Sequence, residues 1–112
     1  MTALITRDEL KAAIEAGAVT VVDTLGGAYY AQQHIPGAVE LAPSEVDAHA
    51  ATRLPDRDAA IVTYCSNPAC GNSGQVADRL TALGYGNVRK YREGIQDWVE
   101  AGLPVVSASP AA

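Results

Sequence analysis

Apolar residues along this chain fall into two kinds of run, one spaced three and four apart and one nearly unbroken over four to six positions, and the two kinds alternate. The first is helical: in Thr6-Arg7-Asp8-Glu9 the threonine suits an N-cap and Glu9 completes a capping box, with Leu10, Ala13 and Ile14 on one face and Gly17 closing the helix. Val19-Thr20-Val21-Val22-Asp23 is too short for a helix and too apolar for an exposed strand, which predicts a buried parallel strand ending at Asp23. Gly26 and Gly27 open one or two helical turns over Ala28 to Gln33, and His34-Ile35-Pro36-Gly37 turns the chain into a short strand, Ala38 to Leu41. Pro43 suits the first turn of a third helix, Ser44 to Thr52, whose polar composition predicts a solvent-facing element. Ala59 to Tyr64 is the most strand-like stretch and runs directly into Cys65. After a loop, Val76, Ala77, Leu80 and Leu83 share a helical face within Ser73 to Leu83, closed by Gly84. Val88 to Tyr91 is a last strand, and Gly94 to Ala101 a last helix carrying Trp98 and stopped by Gly102-Leu103-Pro104. Ser107 to Ala112 is expected to fray.

Strands alternating with helices predict an α/β sandwich: a central, mostly parallel sheet of four to five strands with helices on both faces. In such folds ligands bind where the carboxyl ends of the strands lead into helix N-termini, and Cys65 occupies such a position. A chain of 112 residues is expected to form one domain, hiding about 65% of its extended surface and so needing no metal or disulfide support. A hydrophobic fraction of 48% without an apolar run of membrane length reads as soluble and globular. Eight basic against thirteen acidic residues leave a net charge of −5, a surface that phosphate backbones repel, so neither nucleic acid nor membrane is an expected partner. The first residues lack a basic stretch followed by an apolar run, so no leader is expected and the predicted location is the cytosol. Two cysteines make neither a disulfide framework nor a zinc site, so no metal is predicted and the cysteines matter, if at all, as thiols.

A cysteine between a strand end and a helix start has two aids to reactivity: loop and helix N–H groups converge on the sulfur, and the positive end of the helix favours the thiolate. The opposing reading, a small buried apolar residue, carries equal weight on position alone.

Tyr64-Cys65, a loop of small residues, Ser73, the helix to Leu83-Gly84-Tyr85, Asn87-Val88, and Glu93-Gly94-Ile95 through Trp98 together resemble the second half of a rhodanese domain. Val21-Val22-Asp23, Tyr30 and His34-Ile35-Pro36-Gly37-Ala38 are similar to that family's upstream signature, and Gly102-Leu103-Pro104-Val105 to its close. The resemblance implies a rhodanese-like three-layer sandwich over residues 1–106, with 107–112 a tail. It further implies a sulfurtransferase in which Cys65 attacks the sulfane sulfur of a small donor (thiosulfate, a persulfide or a polysulfide) and holds it as a persulfide. Cyanide, a small thiol or a protein cysteine then removes that sulfur, without metal or organic cofactor. The loop Ser66, Asn67, Pro68, Ala69, Cys70, Gly71, Asn72 and Ser73 would hold the negative charge.

The loop also departs from that family. It lacks the usual glycine three residues after the cysteine, runs about two residues longer than the common single-domain form, and has no Arg or Lys between Cys65 and Arg79. Asp23 is followed by Thr24-Leu25 rather than arginine. A doubly charged donor loses its partner, so weak thiosulfate turnover is expected. A non-catalytic binding or regulatory module is the main alternative; a cysteine-loop phosphatase or arsenate reductase is disfavoured by Gly71-Asn72 where an arginine should close the loop. Cys70 has two possible uses, as a thiol that resolves a Cys65 persulfide or oxidised Cys65 through a disulfide, or as a small residue packing the loop. Asn67, Asn72 and Ser73 are candidates to donate to an anion, with capping of the next helix favoured for Asn72 and Ser73. His34 and Asp23 read as scaffold, His49 as surface, and Tyr85 and Trp98 as core or rim.

Overall fold

The computed structural model describes residues 3–107. Five parallel strands form one sheet in the order β1-β5-β4-β2-β3: β1 (Ala3–Leu4), β2 (Thr20–Asp23), β3 (Val39–Glu40), β4 (Ile61–Tyr64) and β5 (Val88–Tyr91). Five helices accompany them: α1 (Arg7–Glu15), α2 (Gly27–Gln32), α3 (Val46–Arg53), α4 (Asn72–Ala82) and α5 (Gly94–Glu100). The expected sandwich is present, and every paired strand is parallel.

Successive residues of a strand face opposite sides, and β2 and β4 are buried on both, which is why their sequences are continuous apolar runs. Val21, Val62 and Tyr64 face a core filled by Leu10 of α1 and by Ile95 and Trp98 of α5. Val22 and Ile61 face a second core with Val46 and Ala50 of α3 and Val76 and Leu80 of α4. Burying each such aliphatic side chain contributes roughly 1.5–3 kcal/mol.

Four expectations need correction. β1 is an additional strand without an apolar pattern: it is a two-residue edge strand, exposed at both positions and paired with β5. The third helix begins as a 3₁₀ turn at Pro43–Glu45 and becomes α-helical only at Val46. Nor is it merely solvent-facing, because Val46 and Ala50, one turn apart, enter the core. Helix α4 starts at Asn72, with Gly71 as its N-cap and no side-chain cap, so neither Asn72 nor Ser73 has the capping role. In the tail, Ser107 donates its Oγ to the Ala31 carbonyl; residues 108–112 lie outside the described residues.

Candidate active site

β4 lies between β5 and β2, so whatever follows β4 is walled by the segments that follow its two neighbours. Asp23, Tyr64 and Tyr91 end those three strands level with one another. Beyond them, Thr24 and Leu25 follow β2 on one side of the Cys65 loop, and Gly94, Ile95 and Gln96 follow β5 on the other. Two N–H groups of α5 hold the start of the loop: Ile95 donates to the Cys65 carbonyl and Gln96 to the Ser66 carbonyl, both at 2.9 Å. Gly94 has φ +78°. A Cβ there would sit 2.6 Å from the Ser66 carbonyl carbon and oxygen and 2.7 Å from the Asn67 nitrogen, so only glycine admits this approach.

From the other side, Thr24 is fully buried and both its N–H and its hydroxyl donate to the Tyr64 carbonyl, immediately before Cys65. The Asn72 side-chain amide donates to the Thr24 carbonyl at 3.1 Å, tying the first turn of α4 to the segment after β2. Thr63 donates its hydroxyl to the carbonyl of buried Ser73.

Within the loop, Asn67-Pro68-Ala69-Cys70 is a β-turn. The Cys70 N–H donates to the Asn67 carbonyl at 3.1 Å, and the Ala69 N–H to Asn67 Oδ1 at 2.9 Å. Asn at the first position and Pro at the second are the residues this turn favours. It reverses the chain so that Cys70 returns to Cys65, and the two are joined as a disulfide with their Cα atoms 6.2 Å apart. Cys65 is only 2% exposed and Cys70 is half-buried, while Pro68, Ala69 and Gly71 are exposed. Asn67 therefore takes up two loop N–H groups, those of Ala69 and Cys70, in this disulfide form. The first-turn N–H groups of α4 have no intrahelical acceptor. Ser66 Oγ is 3.9 Å from Cys65 Sγ.

A cleft of about 300 Å³ opens beside Ser66, walled by Leu25 and Tyr29 on one side and Ile95 and Val99 on the other, with Gln32, Gln33, Gln96 and Glu100 at its edges. Tyr29 is 65% exposed here. A smaller cleft of about 240 Å³ adjoins Asn67 and Pro68 and carries Glu93, Asp97 and Glu100. Neither is lined by Arg or Lys. A cation does reach the first half of α4 from β5: Lys90 Nζ lies 3.6 Å from where a Cβ on Gly74 would stand. Lys90, Thr24, the contact of Gly94 with the loop, and the cleft carry no local sequence signal, because each depends on segments far apart in the chain.

Beneath the loop, the buried Asp23 carboxylate accepts hydrogen bonds from the Tyr64 hydroxyl at 2.6 Å and from the N–H groups of Leu25 and Gly26. Burial raises the Asp23 carboxyl above the ordinary carboxylate value, against the lowering effect of those donors. Tyr64 in turn accepts from the Ile35 N–H. His34 pairs its backbone with Val106, stacks on Tyr30 and sets Nδ1 2.8 Å from the Tyr30 carbonyl; these are scaffold contacts. His49 is exposed, and Tyr85 and Trp98 are core residues. Among the described residues no group of three His, Cys, Asp or Glu side chains is placed to hold a metal ion, and no helix is long and apolar enough to cross a membrane.

The rhodanese-like domain model matches residues 6–101. The HTH-type transcriptional regulator Rv0324 of Mycobacterium tuberculosis is 37% identical over 106 residues, which are 95% of this chain and 46% of that protein. Thiosulfate sulfurtransferase PspE of Escherichia coli is 36% identical over 59 residues, 53% of this chain and 55% of the relative. The chain thus matches about half the length of each of these curated relatives. Among solved structures, the BH2092 protein of Bacillus halodurans superposes with a TM-score of 0.86 at 26% identity, covering 96% of this chain and 78% of that one.

Proposed function

The chain belongs to the rhodanese-like domain family, and from that premise we propose that it is a sulfurtransferase carrying sulfane sulfur as a persulfide on Cys65. The observation that supports this most is the placement of Cys65. It directly follows the central strand β4, its carbonyl is held by the first turn of α5, and the next residue borders an open cleft. Similarity to a relative named as a thiosulfate sulfurtransferase points the same way.

In the reduced protein, the Cys65 thiolate attacks the outer sulfur of a donor; the donor's S–S bond breaks and its remainder leaves with the bonding electrons. The N-terminal end of α4 favours the resulting persulfide anion. An acceptor then takes the outer sulfur and returns Cys65 to the thiolate. The cleft accepts an apolar donor or acceptor between Leu25, Tyr29, Ile95 and Val99, and its charged residue, Glu100, disfavours a compact dianion such as thiosulfate. A reducing, cytosolic setting suits a cysteine that must return to its thiolate.

Thiocyanate formation from an aromatic thiosulfonate and cyanide tests the reading. With reduced protein and cyanide in large excess, so that cyanide intercepts the persulfide, wild type should turn over with ping-pong kinetics and Cys65→Ser should not; equal rates for the two proteins would overturn it. A second reading, a non-catalytic binding or regulatory module, is favoured by the similarity to a relative named as a transcriptional regulator. On that reading neither protein forms thiocyanate.

A further inference from the structure

We propose that Cys70 is the resolving thiol of this site, so that the chain releases the carried sulfur as sulfide and is reset by an external dithiol. The inference rests on the reading of Cys65 as sulfur carrier and supplies its second half-reaction. The Asn67–Cys70 turn is closed by bonds that do not involve either sulfur: Cys70 N–H to Asn67 O, and Ala69 N–H to Asn67 Oδ1. Asn67 and Pro68 thus fold the loop so that Cys70 faces Cys65, to which it is bonded. The two ends of this reach differ. Cys65 is anchored through its own and the next carbonyl to α5, whereas the span that brings Cys70 to it is exposed at Pro68, Ala69 and Gly71.

The step balances without another reagent. Cys65–S–S⁻ and Cys70–SH give the Cys65–Cys70 disulfide and HS⁻: Cys70 Sγ bonds to Cys65 Sγ, the bond from Cys65 Sγ to the outer sulfur breaks, and the Cys70 proton leaves with that sulfur. The two cysteines are oxidised as the sulfane sulfur is reduced by two electrons. Resetting requires a dithiol reductant. Cys65 is 2% exposed and Cys70 half-buried, so the incoming thiolate attacks Cys70 Sγ and expels the Cys65 thiolate. The reductant's second thiol then displaces Cys70 and leaves as a disulfide.

The test is a single turnover, performed anaerobically on fully reduced protein with an aromatic thiosulfonate as donor, whose sulfinate by-product is not a thiol. Wild type should release one sulfide per sulfur taken up and end as the Cys65–Cys70 disulfide, lighter by the two thiol hydrogens. Cys70→Ser and Cys70→Ala should each gain one sulfur in mass, keep it, and release no sulfide until a thiol is added. If wild type instead holds a lasting persulfide and releases no more sulfide than the variants, the resolving role is overturned while sulfur carriage stands. If neither wild type nor either variant takes up sulfur, sulfur carriage fails and the resolving role fails with it.

Discussion

A methyl group on Gly94 would lie 2.6 Å from the carbonyl carbon of Ser66, so the cysteine loop and the first turn of α5 touch backbone to backbone. Gly94 also holds φ +78°, where an L side chain costs about 1–2 kcal/mol. Gly94→Ala should destabilise the chain by at least about 2 kcal/mol, since the overlap adds to that backbone cost. It should also slow sulfur transfer by displacing the carbonyls that Ile95 and Gln96 hold. Urea denaturation and thiocyanate assays check both effects; unchanged stability and rate would show that the contact does not position the loop.

Tyr64→Phe removes a buried hydroxyl that donates to Asp23 and accepts from the Ile35 N–H. Two buried groups lose a partner, which should cost about 2 kcal/mol in unfolding free energy. A urea midpoint equal to wild type would mean that the Asp23 cluster adds little to the scaffold under the loop.

Because burial raises the Asp23 carboxyl above its ordinary value, ionising it costs more in the folded chain than in the unfolded one. The stability tied to this group is complete below the unfolded pKa of about 3.9 and is lost as pH rises through the folded value. The stability advantage of wild type over Asp23→Asn should therefore shrink as pH rises from about 4 toward neutrality. Paired urea titrations across that range check it, and an advantage that grows with pH would reverse the assignment.

Glu100 is the charged residue lining the apolar cleft. Glu100→Lys exchanges repulsion for attraction toward an anionic donor, an effect of about 1 kcal/mol at a solvated site. Thiosulfate kcat/KM should rise by roughly fivefold at low salt and much less at high salt. The aromatic thiosulfonate, bound mainly through its ring, should respond less. An unchanged thiosulfate kcat/KM at low salt would place the anion away from this cleft.

The sequence made the sheet legible where physics is local. β2 and β4, buried on both faces, cannot read as anything but short apolar runs, and the Thr6–Glu9 capping box marks the start of α1. β1 was illegible because Ala3 and Leu4 are exposed and only pairing with β5 makes them a strand. In α3, Val46 and Ala50 carry the burial among polar neighbours, so composition pointed outward while spacing pointed inward. At the site, Cys65 and Cys70 could be read as a pair from their shared loop. The bond from Asn72 to the Thr24 carbonyl and the cleft between Leu25 and Ile95 join segments distant in sequence, and no local pattern announces them.

Whether sulfur resides on Cys65 is read by peptide mass mapping of a Cys70→Ser chain, which keeps what it accepts, after exposure to an aromatic thiosulfonate. One added sulfur on the peptide containing Cys65, removed by cyanide and absent from the Cys65→Ser/Cys70→Ser chain, is the predicted result. An unchanged mass, or the same addition in the doubly substituted chain, would mean that Cys65 is not the sulfur carrier.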